Sequence, residues 1–192
     1  MSVQLFRHAW GAVGPGFTWK NLPDFTRDAA LEGYAGVEFP LFYFDMQEES
    51  TEKTESDFRE VLAETALDFI PLIATLPKDW GDYAGHIGLF KEQIQRAKDW
   101  GVRKASVHAG ADSFDSATDI KFYRETTVIA RDAGIEPYYE THRARPMYNP
   151  WRTIRILDTL SDIWITADFA HWMPVLDRIP RDLDDLFSYC CE

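Results

Sequence analysis

The strongest constraint on this chain is a strand–helix unit that recurs about every thirty residues. Strand starts fall near residues 3, 36, 69, 104, 135 and 163. Val3–Phe6, Gly36–Pro40, Phe69–Leu76, Lys104–His108, Ile135–Glu140 and the run from Ile163 are short and apolar or β-branched. Helical spacing fills the gaps. One helix runs from Pro23 and Asp24 to Glu32, closed by Gly33, and another is predicted near Ser56, with Phe58, Val61, Leu62 and Thr65 in phase. The next is His86–Trp100, whose face of Ile87, Phe90, Ile94 and Ala97 reads as core, stopped by Gly101. Asp119–Ala133 stops at Gly134, Trp151–Leu160 follows Pro150, and Leu183–Tyr189 begins one more helix.

Strands that alternate with helices on this spacing pair in parallel, because each crossover helix returns the chain to the same end of the sheet. A doubly wound sheet and a (β/α)8 barrel both satisfy the pattern. Polar residues at successive strand ends favour the barrel, whose sites are built at the C-terminal ends of many strands. A complete barrel takes ~250 residues, and these 192 carry about six units. The expectation is an α/β chain of incomplete (β/α)8 barrel type, one partial domain over residues 1–192 without a long linker.

Two strand ends carry the chemistry. Ile163–Trp172 reads Ile-Trp-Ile-Thr-Ala-Asp-Phe-Ala-His-Trp, so a buried run ends in Asp168 with His171 three residues on. Ile135–Arg143 repeats the plan with Glu140, then His142 and Arg143. Either acid alone reads as a helix or turn cap. The same pattern on two successive strands favours a shared site at one rim.

Net charge is −12 with no basic stripe, which argues against a nucleic-acid partner. The only cysteines, Cys190 and Cys191, are adjacent, so they cannot staple the fold and match no zinc spacing. They read as reduced thiols of a cytoplasmic protein. No window approaches the ~18 consecutive apolar residues of a membrane span, so no membrane association is expected. A phosphate-cradling loop and a dinucleotide fingerprint are both missing.

Taken in order, Gly33-Tyr34-Ala35-Gly36-Val37-Glu38, Ser106-Val107-His108-Ala109-Gly110, Tyr139-Glu140-Thr141-His142-Arg143 and Asp168-Phe169-Ala170-His171-Trp172 resemble the xylose isomerase-like barrel superfamily. The likeness is greatest to its sugar phosphate isomerase/epimerase group. The resemblance implies a (β/α)8 barrel holding a divalent ion (Mn, Mg, Co or Zn) at its C-terminal rim. Glu140 matches the ligand that ends strand five, and Asp168 the one that ends strand six. Ligands on strands seven and eight, and a second acid/base carboxylate, have no counterpart before Glu192. The chain therefore reads as truncated, or as completed by a part supplied from elsewhere, with weak metal affinity and doubtful activity expected of the isolated chain. His171 and His108 match histidines that touch substrate, or a metal in polynuclear members.

The implied chemistry is proton transfer next to a carbonyl through a metal-stabilised enediolate, with Glu140 as ligand and base. The substrate is a small sugar or polyol. A dehydratase of the same superfamily, a catalytically inactive partial barrel and an apurinic endonuclease-like hydrolase are the alternatives. The last wants a histidine ending strand three, where this chain has Thr75-Leu76. Substrate contacts fall to His108, His171, Arg143 and Glu38, each with a plainer alternative. His108 reads equally as a core histidine on a carbonyl, Arg143 as a surface ion pair, and Glu38 as the partner of a barrel Lys or Arg. Trp10 and Trp172 stack on a sugar face or pack internally. His8 sits at the strand-one rim, and His86 and His142 read as ordinary surface or helix residues. Open edges at strands one and six would invite pairing into a homo-oligomer.

Overall fold

Strands form here where β-branched and aromatic residues run between glycine and proline. The computed structural model, which describes residues 4–9, 22–46 and 50–177, contains six of them. They are β1 (Phe6–His8), β2 (Gly36–Pro40), β3 (Asp68–Ala74), β4 (Lys104–His108), β5 (Glu136–Glu140) and β6 (Trp164–Thr166). The chain divides between Leu72 and Ile73 into two units, so that β3 contributes to both. Val3, Trp10, the glycine loop at 11–16, the helix expected at 183–189, Cys190 and Cys191 lie outside the described residues.

In the first unit, β1 pairs with β2 and β2 with β3, both in parallel. Gly36 sits opposite Phe6 on one side and Asp68 on the other. A Cβ at Gly36 would run into the Phe6 ring and the Asp68 carbonyl oxygen, so only glycine allows this approach. Two helices follow their strands, α1 (Leu22–Leu31) and α2 (Thr51–Thr65). The second starts earlier than the apolar spacing around Ser56 predicts. Ser50 Oγ accepts from Lys53 N at 3.3 Å and caps the helix there. Phe39, Phe44, Phe58 and Phe69 make the core, with Phe39 4.7 Å from Phe58 edge-on and 4.8 Å from Phe69. Each buried ring contributes about 1.5–3 kcal/mol by transfer from water. That outweighs the exposed Arg27–Glu64 pair at 3.0 Å, whose kind is worth about 0–1 kcal/mol.

In the second unit, β4 pairs with β5 and β5 with β6, again in parallel. The helices are α3 (Tyr83–Asp99), α4 (Ser116–Asp132), α5 (Pro150–Thr159) and α6 (Phe169–Leu176). Their starts follow the chain's chemistry. Asp115 accepts from Thr118 N at 2.7 Å to cap α4, and Asn149 accepts from Arg152 N at 3.1 Å to cap α5, with Pro150 in the first helical position. The core between strands and helices is polar where it must be. Tyr139 Oη meets Thr126 and Thr127 at 2.8 and 2.9 Å, and Arg152 forks onto buried Asp119 at 2.7 Å through both Nε and Nη2.

Strand six is shorter than the run from Ile163 to Trp172 suggests. The chain leaves the sheet at Asp168, whose Oδ1 accepts from Ala170 N at 2.8 Å and starts α6. The fold class is α/β, with six of the parallel strand units of a (β/α)8 barrel.

Candidate metal centre

Parallel pairing brings strand ends to a common level, and in the second unit those ends are acid and imidazole. His108 closes β4 and Glu140 closes β5. Because Glu140 stands opposite Thr166, the chain reaches Asp168 two residues beyond the shared register. Thr141, fully buried, ties the two ends together. Its hydroxyl accepts from Asp168 N at 2.8 Å and donates to Asp168 O at 3.0 Å, while its own N–H donates to Thr166 O at 3.1 Å. Asp168 is thus both a cap and a member of the site: Oδ1 takes the helix N–H, and Oδ2 lies 3.6 Å from His171 Nε2.

Among the described residues, two groups of potential ligands result, with Glu140 common to both. His108, Glu140 and His142 offer ligand atoms that all lie within 4.8 Å of one another, and so do Glu140, Asp168 and His171. The three imidazoles form a ladder. His108 and His142 ring centres are 4.4 Å apart, and His142 and His171 4.2 Å. His108 Nε2 approaches Glu140 Oε2 to 2.5 Å, yet that buried nitrogen has no aligned hydrogen-bond partner. The approach is a close contact rather than a hydrogen bond, because direction as well as distance defines one. The His108 ring nitrogen thus stands against the Glu140 carboxylate at the end of the two strands. Together with two carboxylates and further imidazole, it makes a donor set that fits a divalent cation.

The surroundings also set the protonation of the ladder. Burial first, and then the neighbouring His108, lower the His142 pKa to about 4, so its ring is neutral at pH 7. His142 Nδ1 lies 2.7 Å from Arg143 O; a carbonyl only accepts, so Nδ1 carries the proton. His171 is wired the other way. Arg143 Nε donates to its Nδ1 at 3.2 Å, which puts the ring proton on Nε2, toward Asp168. Burial lowers the His171 pKa as well, against the pull of Asp168.

The remaining expected residues fall as follows. Arg143 contacts His171 rather than forming a surface ion pair with an acid. Glu38 belongs to the first unit, on β2, with Oε1 3.9 Å from His8 Nε2. Trp172 is fully buried and donates Nε1–H to Met147 O at 3.0 Å, so it packs internally. Two histidines were expected as ordinary surface or helix residues, and His86 is a helix residue, inside α3. His86 is fully buried between Thr75 Oγ1 at 2.6 Å and Trp80 O at 3.1 Å. His142 lies in the site itself; its position two residues after Glu140 was the signal, hidden because a strand's period of two ends with the strand. Arg145 also went unread. It is buried, donates to Thr75 O and Gly110 O at 2.9 Å each, and lies 4.5 Å over Trp80. Burial brings its pKa down to about 10, still a cation at pH 7.

A family model described as xylose isomerase-like TIM barrel matches residues 26–186. Among solved structures, a probable 3-DHS dehydratase involved in petrobactin synthesis from Bacillus anthracis aligns at TM-score 0.67 and 16% identity, over 98% of this chain and 71% of that one. D-allulose 3-epimerase from Methylomonas sp., in complex with D-allulose, aligns at TM-score 0.70 and 13% identity, over 96% and 67%. A 3-keto-D-glucoside 4-epimerase from E. coli aligns at TM-score 0.66 and 14% identity, over 98% and 77%. A search of curated proteins returned no match. No helix among the described residues is long and apolar enough to cross a membrane.

Proposed function

Because this chain belongs to the xylose isomerase-like TIM barrel family, we propose that it is a metal-dependent isomerase or epimerase acting on a small sugar in the cytoplasm. The observation that carries the reading is the convergence of Glu140 and Asp168, from neighbouring strand ends, on one group of ligand atoms with His171. Glu140 and Asp168 would hold a divalent cation, which when bound would polarise a substrate carbonyl and offset the charge of an enediolate.

The chain's own residues supply the rest. Glu140 carboxylate takes the proton from the carbon beside the carbonyl. His171, held by Arg143 with its proton on Nε2, donates to a substrate oxygen as negative charge develops there. Moving a proton between adjacent carbons on one face of the sugar needs only the single base, Glu140. Inverting one carbon needs a second acid on the opposite face.

The test follows hydrogen exchange in D2O. The full chain is incubated with Mn²⁺, Mg²⁺, Co²⁺ or Zn²⁺ and a panel of ketoses and cyclic polyols, and deuterium uptake at carbon is read by NMR. Metal-dependent uptake that Glu140→Gln abolishes is expected. No uptake with any metal overturns the reading, and dehydration of a polyol without exchange turns it toward a lyase.

A further inference from the structure

His142 and Arg143 sit on a tight turn, and a buried cation holds that turn from behind. Arg145 N–H donates to His142 O at 3.2 Å and closes the turn, with Ala144 just before it in the left-handed region at φ 61°. A residue with a Cβ keeps a positive φ only where its surroundings impose it. Here the surroundings are two anchors. At one end Thr141 is fully buried and bonded to Asp168. At the other, Arg145 is 4% exposed. Its Nη1 donates to Thr75 O and Gly110 O at 2.9 Å each, and its guanidinium lies 4.5 Å over the Trp80 ring. Those carbonyls belong to the segments that follow β3 and β4. From the second of them, Asp112 N–H donates to Ala144 O at 3.3 Å, while Trp80 Nε1–H donates to Asp112 Oδ1 at 3.1 Å. One side chain thereby ties together the segments that leave three strands.

A charge taken out of water is costly, and an apolar side chain of similar volume fills space as well or better. What an apolar side chain lacks is direction: it cannot pin the turn to two carbonyls at once. The consequence falls on His142. Its Nδ1 bonds Arg143 O, the carbonyl of the very next residue, at 2.7 Å, so the bond exists only in the backbone conformation that the turn imposes. A neutral histidine free in water prefers its proton on Nε2. Here the bond draws the proton to Nδ1 and leaves Nε2 as an acceptor in the site. We infer that Arg145 is a positioning residue, acting through the turn to hold His142 in the Nδ1–H form. The inference stands apart from the proposed reaction, because the tautomer is a property of the metal-free chain.

The experiment reads the ring nitrogens by ¹⁵N NMR in the metal-free full-length chain at pH 7.5, where His142 is neutral. Wild-type His142 is expected in the Nδ1–H form. In Arg145→Met, which keeps an apolar chain in place and removes both carbonyl bonds, the proton is expected on Nε2 in the larger share of molecules. Arg145→Gln, whose amide reaches one carbonyl at most, is expected to shift part of the way, and it carries the comparison if Arg145→Met does not fold. Gly36→Ala, crowded in the first unit, controls for lost stability alone and is expected to leave His142 as in wild type. A wild-type ring already protonated on Nε2 overturns the inference without any variant. So does a folded Arg145→Met or Arg145→Gln that keeps the Nδ1–H form, and so does an equal shift in Gly36→Ala.

Discussion

Thr141 and Asp168 hold one another at the ends of adjacent strands. One hydroxyl accepts the Asp168 N–H at 2.8 Å and donates to the Asp168 carbonyl at 3.0 Å. Both main-chain groups of the acid are satisfied by that side chain, so the carboxylate is aimed by a rigid backbone rather than by its own rotamer alone. Thr141→Val keeps the shape and removes both bonds. It is expected to cost about 1–3 kcal/mol for the stranded groups and to weaken Mn²⁺ binding ~10–100-fold, as loss of a support behind a ligand does. Urea unfolding and Mn²⁺ titration check the two effects, and Thr141→Ser should restore most of both. Unchanged affinity in Thr141→Val would show that Asp168 is oriented by something else.

His86 makes stability depend on pH. Burial lowers its pKa below the ordinary value, and the unfolded chain titrates near ~6.5. Between the lowered value and ~6.5 the unfolded state binds more protons, so stability is complete above that window and falls as pH drops through it. His142 and His171 act with the same sign, so the comparison is with His86→Gln. Wild type should lose more stability than this variant between pH 7.5 and pH 5.5 in urea titrations. Equal losses would sink the assignment.

Arg152 is the partner of a carboxylate that solvent does not reach. Asp119 is 1% exposed and held through both oxygens at 2.7 Å. Burial raises its pKa above the ordinary range despite that fork. Arg152→Ala strands the charge and also removes the bonds to the Asp112 and Phe114 carbonyls. A loss of about 3–5 kcal/mol is expected. The double variant with Asp119→Asn should recover part of it; no recovery would mean that the carbonyl contacts dominate.

Gly36→Ala tests the close approach of strands in the first unit. The new methyl meets the Asp68 carbonyl, which is backbone and cannot swing aside. The expected cost is about 1–3 kcal/mol, as for overpacking elsewhere. Thermal unfolding measures it, and a variant as stable as wild type would mean that β1 or β3 shifts without penalty.

Much of the fold was legible because its signals are local. Gly33, Gly101 and Gly134 end helices at positive φ, a conformation glycine adopts without strain. Pro150 opens one, and the apolar face of Ile87, Phe90, Ile94 and Ala97 is buried. Boundaries moved where a side chain competes with periodicity, as Ser50 does in starting α2 early and Asp168 in ending β6 early. The burial of His86 and the place of His142 in the site were not legible, for a different reason. A histidine has no pattern of its own, and its burial depends on neighbours distant in sequence.

The order of residues along this chain was enough to determine alternating parallel strands and helices, with acids and imidazoles at the strand ends, since periodicity and turn chemistry act over a few residues. Tertiary structure alone decided which of those groups meet. Register places Glu140 opposite Thr166, the Thr141 hydroxyl fixes Asp168, and opposite hydrogen bonds to Arg143 make His142 an acceptor and His171 a donor. The physical reason is that a ring's tautomer and a carboxylate's aim are set by partners across space, at angstrom scale, and spacing along a sequence carries no such information.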